Sequence, residues 1–214
     1  MILLDARAIE QCLHSSVSGA RCLPAGTFYS KEYGLASFHH INWVLGTMGL
    51  SENDDLLVFA DNKADRDAVV GLLFLAGQLK VSRWAGEMEQ LQNLLGAGPG
   101  QARGATRTHI YAGTTRDKFI ALVPEIKALQ QAGWILSSTQ PSSEAVPVNT
   151  VVSASSPIMA VAIFAQLLAN GHQSLKVVID TVELENHSNH KIYVWLIILL
   201  IFAAMLLTFI LWKR

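Results

Sequence analysis

The sequence lacks a surplus of charge of either sign. It contains 16 Lys and Arg against 17 Asp and Glu among 214 residues, a formal net charge of −1. Proteins that bind nucleic acid usually carry a clear basic surplus, as do surfaces held to anionic lipid by charge alone. Composition therefore gives no support to a nucleic-acid partner or to a purely electrostatic attachment to membranes.

Cysteine is also scarce, with only Cys12 and Cys22 in the chain. Residues 2–4 are apolar and read as the start of a strand, without the charged segment and cleavage site of a signal peptide. This pattern predicts that the folded region stays in the cytosol. Because cytosolic thiols are kept reduced, we expect no structural disulfide between Cys12 and Cys22.

Recognisable catalytic and metal-binding motifs are missing as well. There is no Ser/His/Asp order, and the turn at residues 112–115 lacks the lysine of a phosphate-binding P-loop. His187 and His190 are three residues apart and are weak candidates for a metal site. A solvated linker at residues 183–191 explains them better. We therefore predict no bound metal and no cofactor.

One long apolar segment is present, at residues 192–212, and it contains no charged residue, proline or glycine. As an α-helix it would be about 31 Å long, close to the hydrocarbon thickness of a bilayer. Ile192 is its first residue, and Tyr193, Trp195 and Trp212 lie towards its ends, where their amphipathic rings favour the lipid–water interface. Only two residues follow, so the sequence predicts a tail anchor: one transmembrane helix, with the N-terminal head in the cytosol.

The first part of the chain, residues 1–95, alternates strand-like and helix-like segments. Residues 56–60 form a continuous apolar run, typical of a strand buried on both faces. Residues 67–76 predict an apolar helix that ends at a glycine. The next strand is expected at residues 79–84 and the next helix at 88–95. This alternation predicts an α/β fold with a parallel sheet and helices on both faces.

A glycine-rich linker is predicted at residues 96–107, and a second, smaller α/β region at 108–182. Strands of the second region are expected at residues 108–111, 134–137, 149–153 and 175–180. One helix is expected at residues 116–131, kinked or split by Pro124. Ser156 as N-cap, Pro157 in the first turn and Gly171 at the end mark a second helix.

Short motifs follow one another through residues 1–95. They are Asp-Ala-Arg at 5–7, Ser-Gly-Ala-Arg-Cys-Leu-Pro at 18–24, the strand at 55–59, Gly-Gln-Leu-Lys-Val at 77–81, and Ala-Gly-Glu-Met at 85–88. In order and spacing they resemble the D-x-R, P-G-A-x-x-x-P, central strand, G-x-x-x-V and G-G-x-x of the rhodanese-like family, which includes sulfurtransferases. The resemblance implies a rhodanese-like domain in this part of the chain.

The same resemblance implies an active-site loop directly after residues 55–59. Active members carry a cysteine there, whose thiolate receives and passes on a sulfur atom at a helix N-terminus. Here the position falls on Ala60 or Asp61, and neither can carry a persulfide. Arg66 resembles a loop arginine that some members retain, but we interpret it as a surface residue paired with Asp65 or Asp61. The loop is predicted to be a catalytically silent remnant.

A faint similarity between residues 57–83 and 151–180 leaves two interpretations of the second region open. It is either a decayed second rhodanese-like half or a generic βαβ unit. If the similarity reflects a duplication, Ala154 and Ser155 occupy the loop position, so that no cysteine is present there either.

Three functions are compatible with these features. The favoured one is a membrane-anchored, inactive rhodanese-like protein that binds a partner or serves as an accessory subunit of a membrane protein complex. Its partners would then be the lipid bilayer and a membrane-protein subunit. The first alternative is a membrane-bound sulfurtransferase or sulfur carrier that uses Cys22, beside Arg21, or Cys12. The second is a module that senses a small ligand at the carboxyl ends of the strands.

Overall fold

The computed structural model describes residues 1–30, 34–137 and 147–179, which form two α/β halves. The elements of the first half are β1 (Ile2–Asp5), α1 (Ile9–His14), β2 (Ser16–Val17), β3 (Arg21–Cys22), β4 (Tyr29–Ser30), β5 (Gly34–Leu35), α2 (Phe38–Thr47), β6 (Asp55–Phe59), α3 (Lys63–Leu75), β7 (Lys80–Arg83), α4 (Met88–Leu95) and β8 (Ala97–Gly98).

The main sheet of the first half has the strand order β3-β1-β6-β7, and every neighbouring pair is parallel. β1 and β6 are the central strands, in agreement with the apolar runs of the sequence, and Leu4 is paired with Val58 between them. In a parallel sheet all carboxyl ends lie at one edge. The turns that follow Asp5, Cys22, Phe59 and Arg83 therefore gather on one side of this half.

The second half also contains a four-stranded parallel sheet, with the order β10-β11-β12-β9. Its elements are β9 (Ile120–Ala121), α5 (Ile126–Gln131), β10 (Ile135–Ser137), β11 (Thr150–Val152), α6 (Pro157–Ala169) and β12 (Leu175–Val178). Ser156 caps α6 by accepting a hydrogen bond from the Met159 N–H, and Pro157 occupies the first turn, as its sequence predicts.

Two predicted elements of this region are wrong. Residues 108–111 do not form a strand, because they run along the first half, where Tyr111 is buried. The helix expected at residues 116–131 is present only as α5. The preceding residues form a 3-10 turn, strand β9 and a second 3-10 turn, Val123–Glu125, that contains Pro124. Proline has no N–H to donate inside a helix, so the helix begins only after it.

The predicted linker at residues 96–107 is hydrogen-bonded to the first half. It contains β8, which pairs antiparallel with β2 through Val17 and Ala97. Further along, the Gln101 N–H donates to Ala20 O, and Gln101 O accepts from the Cys22 N–H. Backbone pairing of this kind fixes the segment against the first half, so the glycines serve close packing rather than flexibility.

Helices α3 and α6 bring the two halves together. A Cβ on Gly71 of α3 would lie 2.6 Å from Val161 Cγ1 and 2.8 Å from Val161 O on α6. Since real Cβ atoms do not approach so closely, the helices can meet here only because residue 71 is a glycine. Buried residues of both halves, among them Leu72 and Phe164, belong to one continuous apolar core.

Within the three described ranges, no helix is both long enough and apolar enough to cross a bilayer. The predicted span at residues 192–212, with Ile192, Tyr193, Trp195 and Trp212, lies outside these ranges. The same is true of His187 and His190.

Candidate functional site

The loop between β6 and α3 lies at the carboxyl edge of the first sheet. Ala60, Asp61 and Asn62 form it, and the Asn62 side chain caps α3 by accepting a hydrogen bond from the Ala64 N–H at 2.9 Å. The Asp61 side chain is 56% exposed, and its Oδ2 lies 3.6 Å from Nη1 of Arg7. The loop thus holds a carboxylate beside a cation and a helix N-terminus, with no thiol or hydroxyl of its own.

Asp5 and Arg7, the charged residues of the D-x-R motif, form a largely buried ion pair beside this loop. Oδ1 of Asp5 accepts from the backbone N–H and Nε of Arg7, both at 3.0 Å. Its Oδ2 accepts from Arg7 Nη2 at 2.7 Å and from Ser16 Oγ at 2.6 Å. The hydrogen bonds to Asp5 are the main cause that raises the pKa of Arg7. They fix the guanidinium in the position where it meets Asp61.

Arg66 lies elsewhere than the sequence predicts. It is only 6% exposed, its Nε donates to Asp67 Oδ1 at 2.9 Å, and its Nη1 donates to Trp84 O at 2.7 Å. The prediction of a surface arginine paired with Asp65 or Asp61 is therefore wrong. The physical reason is that Arg66 lies on the face of α3 that covers the end of β7, where a backbone carbonyl and a buried carboxylate satisfy it.

Asp67 also contacts the second half. Its Oδ2 accepts a hydrogen bond from Gln166 Nε2 of α6 at 3.0 Å. Nη1 of Arg83 lies 3.7 Å from Asp67 Oδ1, an ion pair that is longer than a hydrogen bond. Sequence reasoning missed this group, because Asp67 and Gln166 are far apart in the chain. Arg66, which resembles the loop arginine of the family, is the one local sign of this group in the sequence.

Cys12 and Cys22 form a disulfide, with Cα atoms 5.8 Å apart. The expectation of two unpaired cysteines is wrong, because the short helix α1 returns the chain so that Cys12 lies beside β3. Both residues are buried, and Gly100 packs so closely on the two sulfur atoms that a Cβ would have no room there. Since these are the only cysteines of the sequence, the chain in this form has no free thiol.

In the second half, the turn between β11 and α6 contains Ala154 and Ser155, followed by the capping Ser156. The side chain of Ser156 is engaged in the cap, and no cysteine is present in the turn. No group of three His, Cys, Asp or Glu side chains in the described ranges could hold a metal ion.

No family model and no curated protein sequence matches the chain. Solved structures do match in fold. SseA from Escherichia coli, described by its rhodanese fold and as a 3-mercaptopyruvate sulfotransferase, superposes with a TM-score of 0.69 at 13% identity and covers 84% of this chain and 92% of its own. Tum1 from Saccharomyces cerevisiae gives 0.61 at 11% identity, covering 83% and 85%. A probable thiosulfate sulfurtransferase gives 0.58 at 14%, covering 85% and 92%.

These likenesses show that the fold of the chain is rhodanese-like, as the motifs in residues 1–95 imply. Because 84% of the chain is covered by the match with SseA, the similarity in fold extends past those residues. At 11–14% identity the similarity to these structures is evidence for the fold alone.

Proposed function

We propose that this chain is a rhodanese-like protein without sulfurtransferase activity, whose α/β head binds a partner while residues 192–212 hold it in a membrane. In this role it would be an accessory or scaffolding subunit of a membrane protein complex. The anchor would raise the local concentration of the head near its partner.

The proposed lack of sulfurtransferase activity rests on one observation: the chain contains no free thiol where sulfur transfer needs one. Transfer through a persulfide requires a thiolate as nucleophile. Ala60 and Asp61 occupy the loop after β6, and the two cysteines of the chain are bonded to each other. A carboxylate beside Arg7 is well accommodated electrostatically but cannot hold a sulfane sulfur.

The side of the membrane on which the head lies is part of the proposal. We propose the cytosolic side as the location of the head. The Cys12–Cys22 disulfide, in contrast, belongs to a class that persists in oxidising compartments. Protease digestion of bacterial spheroplasts that express the full-length chain would decide between the two, because the protease reaches only the outer face of the inner membrane. Cytosolic placement predicts that the head is digested only after detergent opens the membrane, and digestion before detergent contradicts it.

The competing function is a sulfurtransferase or sulfur carrier, and the observation in its favour is that the neighbours in fold are named as such enzymes. In this chain the activity would require reduction of the disulfide and exposure of Cys22, which is 4% exposed and packed beneath Gly100. This alternative therefore depends on a reductant and on movement of the segment that contains β8.

The test is mass spectrometry of the intact full-length protein after incubation with thiosulfate or 3-mercaptopyruvate, with and without prior reduction. The Cys12→Ser and Cys22→Ser forms serve as matched controls. We expect no added sulfur in any sample. A gain of one sulfur in the reduced protein that disappears with Cys22→Ser alone would replace the scaffold by a sulfur carrier and would identify its nucleophile.

The membrane attachment needs a separate test. The full-length chain and its Leu199→Arg variant would be expressed side by side, and their membranes extracted with alkaline carbonate. A charge at the centre of a spanning helix is strongly unfavourable, so we expect the wild type to stay in the membrane and the variant to be released. Release of the wild type by carbonate would remove the anchor from the proposal.

A further inference from the structure

A cleft of about 290 Å³ opens where the start of α3 faces the end of α6 and the turn after β7. Three cationic side chains line it, from Lys63, Arg66 and Arg83, and Asp67 is the one carboxylate among its lining residues. Gln166 and Asn170 add amide groups from the second half. The cleft therefore carries more positive than negative charge.

The carboxylate of Asp67 does not balance all three cations. Its Oδ1 is taken by Nε and Nη2 of Arg66, each at 2.9 Å, and its Oδ2 by Gln166. Nη1 of Arg83 forms a longer ion pair with the same Oδ1, at 3.7 Å, and the Arg83 side chain is 34% exposed. Among the described residues no carboxylate lies within ion-pairing distance of the exposed Lys63. One carboxylate thus faces three cations, and the excess positive charge at Lys63 and Arg83 is available to an anion.

Arg83 also lines a second cavity, of about 320 Å³, whose lining includes Val70, Gly71 and Phe74 further along α3. Apart from Ser82 and Arg83, the residues that line this groove are apolar or glycine, including Val70, Phe74 and Val81 from the first half and Leu168 and Ala169 from α6. Ligand pockets usually measure about 300–1,000 Å³ and combine apolar walls with a few polar groups that orient the ligand. The two cavities together have this composition.

We propose that this composite cleft binds a small amphipathic anion, with a carboxylate between Lys63 and Arg83 and an apolar chain of medium length along Val70, Phe74 and Leu168. A cationic ligand would be repelled by the excess positive charge of the cleft, and a neutral ligand would leave that excess without a counter-charge. A fully polar anion would leave the apolar groove empty. The site thus selects for both parts of the ligand at once, and it senses the free molecule in solution.

The probe is octanoate, titrated calorimetrically into the full-length protein held in nanodiscs of zwitterionic lipid, with empty nanodiscs as the blank. We expect saturable binding of one octanoate per chain. Acetate lacks the chain and octanol lacks the charge, so each should bind at least about tenfold more weakly, since charge-assisted hydrogen bonds and buried methylenes each contribute more than that factor. Equal binding of octanol and octanoate would contradict the anionic part of the site.

Two variants locate the site. Arg83→Glu should weaken octanoate binding by at least about tenfold, because it replaces the cation shared by the two cavities with an anion. Lys80→Glu is the matched control, since it makes the same charge change at an exposed position of the same strand that lines neither cavity. Ala169→Trp, at an exposed position of the apolar groove, should block the chain of octanoate.

Thermal unfolding of each variant shows whether it is folded before its affinity is compared. Unchanged octanoate affinity in both folded cleft variants would overturn the proposal. An equal loss of affinity in Lys80→Glu would also overturn it, because it would indicate only the long-range electrostatic field of the protein. A further arm repeats the titration in nanodiscs that contain an anionic phospholipid. Loss of octanoate binding there would identify a lipid headgroup as the occupant and contradict the free ligand. None of these outcomes depends on whether the head is an inactive sulfurtransferase.

Discussion

The hydroxyl of Tyr111 donates a hydrogen bond to Oε1 of Gln78 at 3.0 Å, in the interior of the protein. Gln78 in turn donates through Nε2 to Asp54 O at 2.7 Å. The pair joins the segment that enters the second half to the turn between α3 and β7. Burial is the main cause that raises the pKa of Tyr111 well above its ordinary value of 10.0.

Tyr111→Phe should lower the free energy of unfolding by about 1–3 kcal/mol, because it leaves the buried Oε1 of Gln78 without a donor. Urea titration at neutral pH measures this. A Gln78→Leu, Tyr111→Phe double variant, in which both partners are apolar, is the informative control. A double variant as unstable as the sum of the two single ones would show that the pair is not coupled.

The raised pKa of Tyr111 also predicts a loss of stability at alkaline pH. The unfolded chain releases the phenol proton near pH 10, whereas the folded protein retains it. The contribution of Tyr111 is therefore fully present below that pH and declines as the pH rises toward the folded pKa, by up to about 1.4 kcal/mol per pH unit. Urea titrations between pH 9 and about pH 11 should show this decline in the wild type and a smaller one in Tyr111→Phe. Parallel curves would contradict the assignment.

Loss of the Cys12–Cys22 disulfide should destabilise the head. The bond closes a loop of sequence separation 10, for which restriction of the unfolded chain predicts about 2–3 kcal/mol. The comparison is urea unfolding of the wild type, the Cys12→Ser, Cys22→Ser double variant, and the wild type in reductant. The double variant and the reduced wild type should agree. A reductant that has no effect on the wild type would show that the cysteines are not bonded in solution.

Asp5→Ala should lower the free energy of unfolding by about 1–3 kcal/mol, because Arg7 and Ser16 lose the buried carboxylate that accepts their hydrogen bonds, while the exposed Asp61 stays near Arg7. Asp55→Ala removes the same group from an exposed position at the start of β6 and should change stability by less than about 0.5 kcal/mol. Both values come from denaturant unfolding. Similar small losses in the two variants would show that the Asp5–Arg7 ion pair does not stabilise the fold.

Gly71→Ala tests the contact between α3 and α6. Alanine favours the helix by about 1 kcal/mol over glycine, but its Cβ would collide with Val161, and overpacking costs about 1–3 kcal/mol. We expect a net loss of stability. Gly26→Ala is the control, because a Cβ there meets no atom within 4 Å, and it should be close to neutral. A stabilised Gly71→Ala would mean that the helices are farther apart than in the structure.

A cysteine placed in the loop tests whether the surrounding structure supports sulfur transfer. In Asp61→Cys the thiol would lie next to the cap of α3 and near Arg7, both of which favour a thiolate. We expect this variant to take up one sulfur from thiosulfate, detected by intact mass, and Ala60→Cys to take up less. Greater uptake by Ala60→Cys would show that residue 60, and not residue 61, is the loop position suited to a nucleophile.

Local patterns of the sequence were enough for the elements that neighbouring residues control. The apolar run at residues 56–60 predicts β6, and Gly77 marks the end of α3. Ser156 and Pro157 define the start of α6. The missing loop cysteine is read directly from the chain. These features depend on backbone propensities, caps and the burial of short apolar segments, which a residue and its near neighbours determine.

Tertiary structure alone decided the rest, because those features depend on residues that are distant in sequence. Residues 108–111 have the composition of a strand, yet packing against the first half and the bond to Gln78 hold them outside any sheet. Arg66 is buried because Asp67 and the Trp84 carbonyl satisfy it, and Cys12 meets Cys22 because α1 folds back on β3. The cleft beside Arg83 exists only because α6 of the second half packs against α3. This packing places Gln166 and Leu168 opposite the side chains of α3.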